Sequence, residues 1–118
     1  MTTINEIKFD HVDPVLRERF ATADASKGQV LQPQPLPRAM MLAEIKQELK
    51  PTTVTVDDIL ATIPSGLLRR DGWGEIFFLE DCAVFVYQYQ RGGGWSVFAC
   101  SVGDPSEWVK GRRVFSRK

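Results

Sequence analysis

The run WGEIFFLEDCAVFVYQYQRGGGWSVFACSV, Trp73 to Val102, decides the fold. It holds both tyrosines, both cysteines and two of the three tryptophans. Three stretches rich in aromatic and β-branched residues are separated by Glu80-Asp81 and by Arg91-Gly92-Gly93-Gly94. Such runs punctuated by turn residues predict three antiparallel strands, over 75–79, 82–90 and 95–102. With two-residue turns, Ile76 lies beside Phe85, Phe78 beside Ala83, Tyr87 opposite Phe98 and Phe85 opposite Cys100. One face then carries Ile76, Phe78, Phe85, Tyr87, Phe98, Cys100 and Val102. The other carries Phe77, Leu79, Val84, Val86, Trp95, Val97 and Ala99. A typical antiparallel sheet alternates apolar and polar faces; here both are apolar.

Two covers are therefore needed. About thirty residues with helical patterning suffice for one face of a three- or four-stranded sheet. The second face is left to the N-terminal arm and the proline segment, or to another molecule, and exposed apolar patches mark interaction sites. The expected partner-binding surface is Phe77, Val84, Val86, Trp95 and Val97, with Tyr89 and Arg91 at its rim.

Upstream, residues 1–12 read as an arm with weak alternation at Ile4, Ile7, Phe9 and Val12. Asp13-Pro14 is a helix start, an N-cap acceptor followed by proline at the first helical position. The helix it opens carries Val15, Leu16 and Phe20 inward and stops at Lys27-Gly28. Prolines at 33, 35 and 37 give residues 29–37 the character of an extended polyproline connector, lying over the surface. Residues 38–50 form the clearest helix, with Met41, Leu42, Ile45 and Leu49 on one stripe and Pro51 as its end. Thr55 and Asp58 have capping-box spacing for a second short helix over 56–62. The pair suggests a helix-turn-helix, but Asp57 and Asp58 would sit where a recognition helix approaches phosphate.

Downstream, Asp104 to Gly111 reads as a helical turn with Trp108 inward. Residues 112–117 read as a last strand at the sheet edge, where its cations would guard against edge pairing. The fold class is α+β: one domain over 13–118 with two to three short helices packed on a C-terminal three- to four-stranded antiparallel meander.

Composition narrows function by exclusion. A chain of 118 residues fits one domain. Fifteen basic and fifteen acidic residues cancel, which argues against coating onto nucleic acid or anionic lipid. No apolar run approaches the roughly 20 residues that span a bilayer, so no membrane is expected. The start has no charged and apolar signal pattern, and two cysteines are too few for a disulfide framework, so a cytoplasmic location is expected. His11 is the single histidine, and no metal or phosphate-loop motif occurs, so no cofactor, metal or catalytic residue is assigned.

The reading is a non-enzymatic protein-interaction module: an inhibitor, an adaptor or a self-associating homodimer. Small phage- or plasmid-borne inhibitors have this size and this lack of chemistry. A nucleic-acid reading stands beside it, because sheet aromatics with flanking cations stack single-stranded bases. Its contacts would be Arg69, Arg70, Arg112, Arg113 and Arg117. A small enzyme with a site assembled from distant residues is the third reading.

Overall fold

The computed structural model describes residues 7–88 and 93–117. In chain order it forms β1 (Phe9–Val12), a 3-10 turn at Pro14–Leu16, α1 (Arg17–Thr22), a second 3-10 turn at Ala25–Lys27, β2 (Gln32–Pro35) and β3 (Met40–Met41). There follow α2 (Leu42–Glu48), α3 (Val56–Thr62), a 3-10 turn at Ile63–Ser65, β4 (Glu75–Phe78), β5 (Ala83–Tyr87), β6 (Trp95–Cys100), β7 (Glu107–Trp108) and β8 (Arg113–Ser116).

The expected meander β4–β5–β6 is the middle of a larger sheet with the order β1-β6-β5-β4-β8-β2. β1 runs parallel to β6 and β8 runs parallel to β4, so the sheet is mixed rather than an antiparallel meander. The four-residue β1 and β2 lengthen the sheet at its two ends rather than lying across its face. The β4–β5 register is the expected one, with Ile76 opposite Phe85 and Phe78 opposite Ala83. β6 is shifted by two residues from a two-residue turn: Tyr87 pairs with Ser96 and Phe85 with Phe98. A shift of two preserves which side chains share a face, whereas a shift of one would have exchanged them.

The proline segment is an edge strand. Gln32 to Pro35 pair with Ser116 to Arg113. Leu36 donates its N–H to the Arg112 carbonyl at 2.7 Å, so residues 32, 34 and 36 turn their amides toward β8. Pro33, Pro35 and Pro37 alternate with them, and their missing donors fall on the outer edge, where proline is tolerated and blocks further pairing. β8, expected at the edge, is thereby interior. Phe115 is fully buried and stacks on Phe77 with centroids 5.1 Å apart.

α1 and α2 are shorter than their patterns suggest, whereas α3 has the expected bounds, Val56–Thr62. α1 carries Leu16 and Phe20 into the core, but Val15 is 68% exposed. After Thr22 the chain straightens and a new 3-10 turn starts under an Asp24 cap. Lys27-Gly28 is the expected stop, but of this 3-10 turn rather than of one long helix: Gly28 caps it, donating its N–H to the Ala25 carbonyl at 3.1 Å. A Cβ there would lie 2.1 Å from the Asp57 carbonyl oxygen, so this close approach to α3 requires glycine. α2 begins at Leu42 because Met40-Met41 pairs with Glu107-Trp108 as a two-stranded ribbon. The Glu44 side chain then accepts the Met41 N–H at 2.9 Å, satisfying one orphan donor of the helix start. In α3 the capping box forms as its spacing predicts, with Thr55 and Asp58 exchanging hydrogen bonds of 3.0 and 3.3 Å.

The core is divided by the sheet. On one side Leu16, Phe20, Ile59 and Leu60 pack against Phe77, Val84, Val86, Val97 and Phe115. On the other Leu36, Met40, Leu42 and Ile45 pack against Ile76, Phe78, Ala83 and Val114. α2 and α3 thus lie on opposite faces, so the two consecutive helices do not form a helix-turn-helix. Among the described residues, no helix is long and apolar enough to cross a membrane.

Candidate interaction surface

The face expected to be open is the closed one. Phe77, Val84, Val86 and Val97 are fully buried, and Trp95 is 6% exposed. They sit beneath α1 and α3, with the partly buried Phe9 and Val12 of β1 beside them in the sheet and Ile7 packed against the same cluster. The sequence reading is corrected on this point: these side chains form the main core and offer no surface in the folded chain. Tyr89 and Arg91 lie outside the described residues.

The opposite face is covered over only part of its width. The seven-residue α2 and the β3–β7 ribbon close the β4 and β8 half. Toward β5, β6 and β1, the side chains Phe85, Tyr87, Phe98 and His11 are only half-buried. Strand alternation sets Phe85 and Tyr87 on the same face of β5, and the β5–β6 register puts Phe98 directly opposite Phe85. His11 stacks on Phe98 at 4.5 Å between centroids and 27° between planes. Tyr87 stacks on Phe98 at 5.7 Å and 11°. The three rings therefore stand side by side across three strands.

The strip continues into a ladder of rings and guanidinium groups. Phe85 meets Trp108 of β7 at 4.3 Å between centroids. The Arg112 guanidinium lies 5.6 Å from the Trp108 ring centre and 4.3 Å from that of Trp73. Arg69 approaches the same Trp73 ring at 4.9 Å. The ladder forms where the chain crosses under it at Gly74. A Cβ there would touch Phe85, Trp108 and Arg112 at 3.8, 3.9 and 4.0 Å, which marks the three side chains as converging on one spot. Burial first, and the nearby Arg69 charge second, lower the Arg112 pKa from its ordinary value. Arg112 Nε and Trp108 Nε1 are hidden from solvent and have no acceptor among the described residues.

The five arginines singled out from sequence thus separate into two kinds. Arg113 binds Glu75, itself 1% exposed, through both Nε and Nη2, and donates to the Leu67 carbonyl at 2.7 Å. Arg117 binds the buried Asp58 at 2.9 Å. Burial alone would raise the Asp58 pKa. The Thr55 and Gln29 amides and the Arg117 guanidinium, all donating to its carboxylate, bring it below the ordinary value instead. These two arginines hold β8 in place and are spent on the fold. Arg69, Arg70 and Arg112 form no ion pair among the described residues, and each lies over a tryptophan ring, Arg70 over Trp95 at 5.9 Å.

Two cavities lie elsewhere, at the β4–β5 turn, with volumes of 480 and 250 Å³. Both are bordered by the Arg19–Asp81 ion pair, 2.5 Å long, whose hydrogen bond from Arg19 brings the Asp81 pKa down to about 2. The smaller is lined in part by Cys82 and Cys100, whose thiols are pushed up by burial and so stay protonated at neutral pH. Pairing of Ala83 with Cys100 makes the two cysteines neighbours in register, closer than two-residue turns predict, but Cys82 packs on one side of the sheet and Cys100 on the other. The ionisable side chains that line them are Arg19, Glu80, Asp81 and the two thiols.

His11 and Trp108 were missed as surface residues in the sequence reading. The available signal was arithmetic: one short helix cannot cover the full width of an apolar sheet face. No protein-family model, no curated protein and no solved structure matches this chain.

Proposed function

We propose that this chain is a non-enzymatic interaction module, working in the cytoplasm, whose partner is another protein docked on the strip of Phe85, Tyr87 and Phe98 with His11 at its end. One observation carries the reading. These rings remain half-buried on the face that only the seven-residue α2 and the β3–β7 ribbon cover, whereas Phe77, Val84, Val86 and Val97 on the other face are fully buried. Aromatic rings at a surface are the residues most enriched at the energetic centres of protein interfaces. A location where thiols stay reduced fits the two free cysteines.

Nucleic acid is the weaker alternative. Two of the five candidate arginines are engaged by buried carboxylates, and the strip rings stack on one another, leaving edges rather than faces for bases.

The test is affinity capture from the native cell with the wild-type chain, F98E and an exposed-helix control, K46E. A protein held by wild type and K46E and lost with F98E is then purified and titrated against all three. Retention by F98E at unchanged affinity defeats the proposal. Sedimentation equilibrium of the wild type and F98E separates self-association from a different partner. Salt-sensitive retention on single-stranded DNA, unaffected by F98E, would favour the nucleic-acid reading.

A further inference from the structure

We infer that the docked segment carries carboxylate side chains, and that Arg69 and Arg112, ordered on Trp73, are the groups that bind them. This rests on the protein-docking reading of the adjacent aromatic strip and specifies the chemistry of what docks there.

Two guanidinium groups approach one indole ring, at 4.9 and 4.3 Å from its centre, so two like charges are held close together. The mutual cost is visible in Arg112, whose charged form is disfavoured by burial and then by Arg69. Arg19, Arg38, Arg113 and Arg117 each have a carboxylate partner within 2.9 Å. Arg69 and Arg112 have none among the described residues. The Asp71 and Glu75 carboxylates favour the charged Arg112 from a distance, but neither is in ion-pair contact with it: Asp71 accepts the Trp73 N–H, and Glu75 is bound by Arg113 and the Arg69 backbone N–H.

Geometry adds to charge. No acceptor among the described residues engages either guanidinium. Ring faces hold them instead, which fixes their planes and leaves their outer N–H groups to be satisfied. A fixed guanidinium plane is suited to carboxylate oxygens, because its paired donors match them two to two. The ladder is continuous with Phe85 of the strip, so the segment that fits both combines acidic and apolar side chains. A polyanion is a poorer fit to a chain whose thirty charges cancel.

The experiment follows the Trp73 and Trp108 indole N–H signals by NMR during titration of the full chain. The probes are a capped pentapeptide alternating glutamate with phenylalanine and leucine, its glutamine counterpart, inorganic phosphate and a short oligo-dT. The expected result is saturable shifts with the glutamate peptide, at least tenfold tighter than with the glutamine peptide. R69Q and R112Q should each remove most of that difference, whereas R70Q should keep it. R69Q alters the more accessible end of the ladder, so a folding defect confined to R112Q leaves the test intact.

Equal affinity for the two peptides, no saturable shift with the glutamate peptide, or tighter binding of oligo-dT or phosphate overturns the inference. F98S distinguishes the two levels of the argument. If it abolishes binding of two equally bound peptides, the docking face stands and the carboxylate assignment falls. If glutamate-dependent binding survives F98S unchanged, the arginine ladder stands and the aromatic strip falls.

Discussion

The two faces of the sheet are built from similar residues and end differently. On one, Phe77, Val84, Val86 and Val97 disappear beneath α1 and α3. On the other, Phe85, Tyr87 and Phe98 remain half-exposed beyond the reach of α2. Composition does not separate them; the number of helical turns available to each does. The arginines repeat the contrast. Arg113 and Arg117 neutralise buried carboxylates, whereas Arg69 and Arg112 rest on rings and form no ion pair among the described residues. Residues that hold a fold together and residues that offer a surface can thus lie side by side in sequence, as Arg112 and Arg113 do.

Truncation should separate the faces most sharply. Phe77→Ala removes a fully buried ring stacked on Phe115 and should cost about 4 kcal/mol in urea unfolding. Phe98→Ala, at a half-buried position, should cost about 1 kcal/mol. Equal losses would erase the distinction between a closed and an open face.

The arginine contrast is tested next. Glu75→Gln leaves Arg113 partly buried with a weakened partner, and should destabilise by about 3 kcal/mol. Arg112→Gln should change stability by about 1 kcal/mol or less, the range of an isolated cation–ring contact. A larger loss from Arg112 than from Glu75 would make the ladder a structural brace rather than a binding group.

Acid titration gives a smaller effect with a defined sign. Asp58 and Asp81 both titrate below their ordinary values when folded. Their stabilisation is therefore complete above the unfolded carboxylate pKa of about 4. It is lost as pH falls through the folded values, about 2 for Asp81. Asp58→Asn should lower stability at neutral pH and reduce the acid slope of the urea midpoint. An unchanged slope would remove Asp58 from the set of groups that drive it.

Sequence patterning exposed the centre of the sheet and little of its margins. The β4–β5 pairing, the α3 capping box and the membership of both faces followed from alternation and turn residues close in sequence. A last strand over 112–117 was legible too, but the pairings of β1, β2 and β8 were not, because they join distant segments and two of them are parallel. The proline segment held a legible sign in its two-residue spacing, which directs all three missing donors to one edge. The site was half-legible. That one apolar face lacked cover was readable from helix lengths. Which face depended on α2 and α3 docking on opposite sides, and no local pattern records that choice.

Hydroxyl-radical footprinting read residue by residue tests the central claim most directly. In the free chain Tyr87, Phe98 and Trp108 should oxidise at least several-fold faster than Phe77 and Phe115, and partner binding should protect the first set alone. Oxidation of Tyr87 and Phe98 as slow as that of Phe77 in the free chain would mean the face is closed, and the account of this molecule as a docking surface would be contradicted.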